Sequence, residues 1–569
     1  MHRHLLLPAS LSLLSCLSVG SAHPLQGVLR SAHNGTRGAV SSESMICSKI
    51  GVDIIEIGGT AADAMVASTL CVGVIGMYHS GIGGGGFMLV RDKDGGYEAI
   101  DYRETAPSAA ERDMYEKDRD ASVYGGLAVG IPGELRGLEC LHKKYGVLPW
   151  STVVRPAIRV ARGGFQVSED LVRYMEAASQ NNNTFLVDDP VWAQDFAPNG
   201  RLVKLGDVIT RKRYADSLEK IANKGVDIFY EGELAHSMIK SIQSTKGIMT
   251  LEDLKNYTVS IKKPLSIKYR GHRLFTTEAP SSGAVMFSIL KTMEQYPTSD
   301  LANTNLTTHR LVEAMKFAYG ARQELGDPDF IRNIAQLQKQ MVSDEKAREI
   351  RNRIMDNQTQ PVAVYDPQLV YAAESSGTSH IVTADASGLT VSSTTTINLL
   401  FGSQVMTPDT GIILNNEMDD FSQPGRRNSF GFSPSPANFI APGKRPLSSI
   451  TPLIAEFPNG TVFFSTGAAG GSRIISSTTL IAWNVLDKHM SMHAAVAAPR
   501  LHDQLMPDVL MVEEAGFDKG LFASLQQKLH NATWVGSGLS SAQAVMRLWN
   551  GTFDAASETR QSNSGGLTV

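Results

Sequence analysis

The chain has 569 residues, with 53 Lys+Arg against 57 Asp+Glu and 42% hydrophobic residues. This is an ordinary globular composition, and it excludes a disordered, collagen-like or coiled-coil protein. A net charge of −4 supplies neither the basic footprint of a nucleic-acid binder nor a polybasic membrane patch.

Residues 1–22 open with His2, Arg3 and His4, run apolar with interspersed serines through Val19, and close on Gly20, Ser21 and Ala22. That is the pattern of a cleaved secretory signal. Its apolar run of about 15 residues is shorter than the ~17–25 a spanning helix needs. A retained membrane anchor is the alternative. Cys16 leaves with the signal, so Cys47, Cys71 and Cys140 remain. Three cysteines cannot all pair, and one bridge plus one thiol is the simplest arrangement. Asn34, Asn182, Asn256, Asn305, Asn357, Asn459, Asn531 and Asn550 each head an Asn-x-Ser/Thr triplet, which points to a glycosylated surface in a eukaryotic secretory route.

Neither a repeat nor a low-complexity linker divides the rest of the chain. Residues 61–74 form an apolar, alanine-rich run predicted as a buried helix. Residues 87–91 and 97–102 flank an Asp-Lys-Asp-Gly-Gly turn and read as a β-hairpin. Pro132 starts a stretch with leucines at helical spacing, and Leu311, Met315 and Ala318 share one face of another helix. In the C-terminal third, residues 378–385 read as a strand, 389–400 as a second strand dense in threonine, and 451–457 with 461–465 as a hairpin. The glycines of 467–471 read as a turn leading into a helix that begins at Ser472. Strands in hairpins followed by helices suggest antiparallel sheets with helices packed outside.

The run from Gly81 to Gly86 formally matches GxGxxG, yet it leads into a strand. A dinucleotide loop must lead into a helix, so a tight backbone turn is the better reading. Walker A, HExxH and GxSxG motifs are absent, the 14 histidines show no metal-ligand spacing, and the cysteines are too sparse for a zinc cage. Chemistry without metal or cofactor is expected. Gly470 and Gly471, at the start of a helix, could offer backbone N–H groups as an oxyanion hole. A cut before Thr378 would give that residue a free α-amine, with pKa ~7.7–8.0, to act as base for its own hydroxyl. Gly377 suits self-cleavage through its unhindered carbonyl and tolerance of strain.

Ordered blocks at 53–64, 80–88, 101–107, 377–380, 394–402, 414–421, 446–449 and 467–471 together resemble the gamma-glutamyltranspeptidase (glutathione hydrolase) family, from about Ala39 to the C-terminus. The resemblance implies an α+β, four-layer αββα N-terminal-nucleophile hydrolase sandwich. It implies cleavage between Gly377 and Thr378, giving a large chain of residues 23–377 and a small chain of residues 378–569 that form one heterodimer. Thr378 would be the nucleophile, Thr396 the residue that orients it, and Gly470 and Gly471 the oxyanion hole. Arg103 would hold the substrate α-carboxylate through a bidentate fork, with the Ser448 and Ser449 hydroxyls. Asn398, Glu417 and Asp420 would accept from the α-ammonium. Cys47 and Cys71 match a disulfide of animal relatives. Val382 and Leu389 depart from the family pattern, which has small polar residues there.

The implied activity is cleavage of glutathione and other γ-glutamyl amides, with the glutamyl group passed to water or to an amino acid or dipeptide. The alternatives are a related acylase with another amide substrate, or an uncleaved, inactive binding relative. The expected location is the secretory pathway or the medium, with the vacuole or a membrane as alternatives.

Overall fold

The computed structural model describes residues 35–180, 183–371, 377–425, 433–538 and 540–569. The signal segment, Asn34 and Asn182 lie outside them. Thirteen strands build two sheets. In chain order they are β1 (Gly38–Ser42), β2 (Gly85–Arg91), β3 (Tyr97–Asp101), β4 (Ser260–Lys262), β5 (Leu265–Tyr269), β6 (His272–Thr276) and β7 (Ser379–Asp385). There follow β8 (Thr390–Thr396), β9 (Leu453–Glu456), β10 (Val462–Ala469), β11 (Ser541–Arg547), β12 (Phe553–Ala556) and β13 (Gly565–Thr568). The first sheet runs β13-β1-β7-β8-β2-β3-β4 and the second β12-β11-β10-β9-β6-β5. Every pairing in them is antiparallel.

The two-residue period of β7 and β8 explains how the layers stack. Ile381 and Val391 point to a core shared with α1 (Met45–Glu56) and α2 (Ala61–Ile75). Val382 and Ala384 point the other way and meet Ala39, Val545, Phe553 and Ala555 between the sheets. The second sheet is covered by α4 (Gly283–Glu294), α5 (Thr304–Arg322) and α6 (Arg473–Leu486); α3 (Glu134–Tyr145) belongs to the first core. The layers are therefore α, β, β and α. Val382 fills this inter-sheet layer, which suits an apolar residue better than a hydroxyl.

Helix α2 is buried on every face, because it lies between the sheet and other helices. Thr60 and Asp63 close its N-terminus with a reciprocal capping box, Thr60 Oγ1 accepting from Asp63 N and Asp63 Oδ2 accepting from Thr60 N. Cys47 on α1 and Cys71 on α2 form a disulfide, and Cys140 is free. No helix among the described residues is long and apolar enough to cross a membrane.

Two sequence boundaries need correction. The strand expected over 389–400 ends at Thr396, because Asn398 takes a left-handed φ of +69° and Phe401 one of +60°. The glycine turn expected over 467–471 is shorter, because β10 continues through Ala469. Gly467 is a strand residue whose missing Cβ makes room for the His380 ring, which lies 2.3 Å from where that atom would sit.

Candidate active site

Pairing of Ser379 with Thr395 across β7 and β8 brings the residue before β7, Thr378, opposite the last residue of β8, Thr396. The chain is continuous here, and the Thr378 hydroxyl donates to the carbonyl of Gly377. Thr396 Oγ1 donates to the same carbonyl oxygen at 3.0 Å and accepts from the backbone N–H of Asn398 at 2.7 Å. One peptide carbonyl thus accepts from two threonine hydroxyls, Thr378 and Thr396. Thr396, expected from the sequence to orient the Thr378 hydroxyl, here shares the Gly377 carbonyl oxygen with it.

Gly377 has φ +118°, and a Cβ there would meet the Asn398 carbonyl oxygen at 2.2 Å. Only glycine satisfies both the left-handed backbone and the close approach. Gly470 and Gly471 also take positive φ, +125° and +63°, between β10 and α6. Gly377, Thr378, His79 and Gly470 line one cavity of about 220 Å³.

The second part of the site is a buried charge cluster. Arg103 follows β3, and its backbone N–H donates to Asp101 Oδ1 at 3.1 Å while its carbonyl accepts from Tyr257 Oη at 2.8 Å. Its guanidinium donates to Glu417 and to Asp420, both on one 3₁₀ turn, and lies 3.9 Å from Glu104. Burial alone would depress Arg103, but Glu417, Asp420 and Glu104 outweigh it and hold the group charged. Three carboxyl groups face this guanidinium, and Arg322 also acts on Asp420. Burial pushes Glu417 and Asp420 above the usual carboxylate range and Glu104 up to about 8, each opposed by Arg103. Glu417 Oε2, Asp420 Oδ1 and Asn398 Oδ1 are buried and find no hydrogen-bond partner among the described residues.

Asn398 joins the two parts: its N–H reaches Thr396, and its Nδ2 donates to the Asn416 carbonyl at 3.0 Å. Asn415 supports the same loop, accepting from Glu417 N at 2.9 Å and donating to the Gly83 and Gly130 carbonyls at 2.8 Å each. Ser448 Oγ accepts from Ile450 N at 3.2 Å, and Ser449 Oγ accepts from Arg322 at 3.0 Å. The structure thus gathers Arg103, Glu417 and Asp420 around one point and ties Asn398 to both that loop and Thr396. Asn256, Asn305, Asn357, Asn459, Asn531 and Asn550 are all exposed.

Sequence reasoning missed Glu104, Arg322 and a second buried carboxyl. Glu43 accepts from Ser379 Oγ at 2.7 Å and lies 2.9 Å from His79 Nε2. Burial pushes Glu43 up to about 8 and His79 down to about 3, so both are uncharged at neutral pH. No motif marks an isolated carboxyl; the only signal is its place in β1's exit toward the residue after Thr378.

A sandwich of two antiparallel sheets between helices, with a threonine just before a central strand, is the fold of the N-terminal-nucleophile hydrolases. Comparison with known proteins gives the family. A family model described as gamma-glutamyltranspeptidase matches residues 47–567. A glutathione hydrolase proenzyme of Arthroderma benhamiae is 52% identical over 551 residues, covering 95% of this chain and 94% of that one. A glutathione hydrolase of Aspergillus flavus is 47% identical, covering 94% and 89%. Among solved structures, a cephalosporin acylase from Bacillus halodurans superposes with a TM-score of 0.82 at 26% identity, covering 97% of this chain and 99% of that one. The chain belongs to the gamma-glutamyltranspeptidase family.

Proposed function

We propose that this protein is a self-processing glutathione hydrolase and γ-glutamyltransferase of the secretory route, maturing into chains 23–377 and 378–569. The observation that carries this reading is the buried cluster of Arg103, Glu417 and Asp420, with three unsatisfied acceptors beside a guanidinium. A free amino-acid end fits this cluster: its ammonium offers three donors to Glu417, Asp420 and Asn398, and its carboxylate would take over the Arg103 guanidinium that Glu417 and Asp420 now hold. By family resemblance the Ser448 and Ser449 hydroxyls would assist with that carboxylate, and Ser449 Oγ is held by Arg322. An acylase whose substrate has no free amino-acid end has no use for both charge signs, which favours the glutamyl reading over the acylase fold-mate.

Maturation begins with attack of Thr378 Oγ on the Gly377 carbonyl carbon. The C–N bond breaks, the hydroxyl proton passes to the leaving nitrogen, and an ester replaces the amide. Water then hydrolyses the ester, leaving a Gly377 carboxylate and a free Thr378 amine. In catalysis that amine takes the Oγ proton while Oγ attacks the γ-carbonyl of the substrate. The oxyanion is held by backbone N–H groups at Gly470 and Gly471. The departing amine takes the proton, and water or an acceptor amine then releases the glutamyl group from Thr378.

The test compares glutathione with glutathione N-acetylated on its glutamyl nitrogen, and with its glutamyl α-methyl ester. Free glutathione releases glutamate, and either blocked form loses at least about 10²-fold in kcat/KM, as expected when a buried ion pair cannot form. Equal turnover of all three would refute the mixed-charge assignment. The exposed sequons and the pattern of residues 1–22 support passage through the secretory route; endoglycosidase-sensitive mass on the secreted protein checks it.

A further inference from the structure

A second cluster of chemically capable side chains lies outside the catalytic site. His309 and Glu313 stand one turn apart on α5, hence on one face. His530 follows α7 (Lys519–Gln527), where Leu529 takes a left-handed φ of +67° and turns the chain back. His309 and Glu313 are fully buried and His530 is 4% exposed. One ligand-capable atom from each lies within 4.8 Å of the other two. None of the three lines the Thr378 cavity.

The hydrogen bonds fix the protonation. His309 Nε2 lies 2.7 Å from the Met355 carbonyl, which accepts, so Nε2 carries the proton and Nδ1 keeps its lone pair. His309 Nδ1 lies 2.7 Å from His530 Nε2, which must then be the donor. That leaves His530 Nδ1 as a buried acceptor without a donor, and Glu313 Oε1 is a second. Glu313 Oε2 accepts from Tyr365 Oη at 2.6 Å, which orients the carboxylate. Burial lowers His309 to about 4 and His530 to about 2, so both rings are neutral, the form that ligates. Of the neighbouring cations, Lys316 pairs with Asp508 at 2.8 Å and Arg310 with Asp300 and Asp356 at 2.7 Å each, while Lys528 donates to the Asp356 carbonyl.

We propose that His309, Glu313 and His530 form a binding site for one divalent transition-metal ion of the Zn²⁺ type. Two imidazoles and one carboxylate are a recurrent zinc donor set, and an outer carbonyl on the first histidine is the usual support for it. Metal–ligand distances of ~2.0–2.2 Å require the imidazole nitrogens to open from their present separation to ~3.3 Å in tetrahedral geometry. To ligate, His530 moves its ring proton from Nε2 to the unpartnered Nδ1, so that His530 Nε2, His309 Nδ1 and Glu313 Oε1 each present a lone pair to the ion. His309 precedes Gly377 and His530 follows Thr378, so in the cut protein proposed above the ion ties the large chain to the small one. Binding itself does not depend on that cut. The site escapes a motif search because its histidines are 221 positions apart.

The test uses untagged full-length protein, loaded with Zn²⁺, dialysed against metal-free buffer and assayed by elemental analysis. About one Zn²⁺ per chain is expected, with a higher Tm than after chelation. Glu313→Gln and His530→Gln should each bind at least tenfold more weakly. Because either variant could unfold, Co²⁺ is also titrated into wild type, where ligand-field bands of a low-coordinate nitrogen–oxygen site are expected. Wild type that retains no Zn²⁺ and shows no such bands overturns the proposal and leaves a plain hydrogen-bonded histidine pair. Variants that retain Zn²⁺ as wild type does overturn it equally. Glutamate release from glutathione reads the catalytic proposal separately and is unaffected by that result.

Discussion

The region around Arg103 and the region around Thr378 are joined by Asn398 but handle charge in opposite ways. Around Arg103, three buried carboxylates face one guanidinium, and burial pushes each carboxylate upward against its attraction. Beside Thr378 the buried groups are neutral, being hydroxyls, the Gly377 carbonyl, a histidine lowered to about 3 and a carboxyl raised to about 8, while Arg173, Arg473 and Arg560 line the cavity beyond them. In the Arg103 cluster only the guanidinium is held charged throughout; an arriving ammonium would favour the ionised form of carboxyls that burial pushes toward neutrality. Bond-making at Thr378, as proposed, would need charge only transiently, and the arginines of the cavity wall carry the sign that favours an oxyanion.

Substitutions can separate the two behaviours. The largest effect is expected from Arg103→Gln, which strands Glu417, Asp420 and Glu104 without their cation. Steady-state kinetics should show a loss of about 10²–10³-fold in kcat/KM for γ-glutamyl substrates, mostly in KM, with cleavage at Gly377 retained. Cleavage lost along with affinity would show that the two regions are not separable. Gly377→Ala strikes the other region: a Cβ 2.2 Å from the Asn398 carbonyl at φ +118° should slow the appearance of the small chain by roughly 10–100-fold. Gel-resolved time courses read that rate, and unchanged cleavage would refute the strained turn.

The smallest effect belongs to Glu43. Its carboxyl holds a proton in the folded chain up to about pH 8, whereas the unfolded group releases it near its ordinary value of 4.5. Between these values the native state binds more protons than the unfolded one, so this group's contribution to stability falls as pH rises and is constant above about 8. Glu43→Gln should remove roughly one proton's worth of that slope in Tm measured against pH. An unchanged slope would place the proton elsewhere.

Much of this was legible in the residues. The hairpin of β2 and β3 and the buried α2 followed from turn chemistry and apolar runs. The sheet order did not, because pairings such as β1 with β7 join segments more than 300 residues apart, where no local pattern carries information. Boundaries failed where tertiary contact outweighed composition. Threonines that favour strand could not carry β8 past Asn398, and Gly467, a turn residue by composition, sits inside β10 because the His380 ring fills its side-chain space. The catalytic residues were readable only through ordered family blocks. Glu43, Glu104 and Arg322 act by burial and partnership, which no single-sequence motif encodes.

The central claim is that Thr378 cuts the chain before itself and becomes the nucleophile. N-terminal sequencing with intact mass on the deglycosylated protein, beside Thr378→Ala, tests it most directly. The account expects a wild-type small chain beginning at Thr378 and an uncut variant without γ-glutamyl turnover. A wild type that stays in one piece yet cleaves glutathione, or a variant that is cut at the same bond, would contradict it.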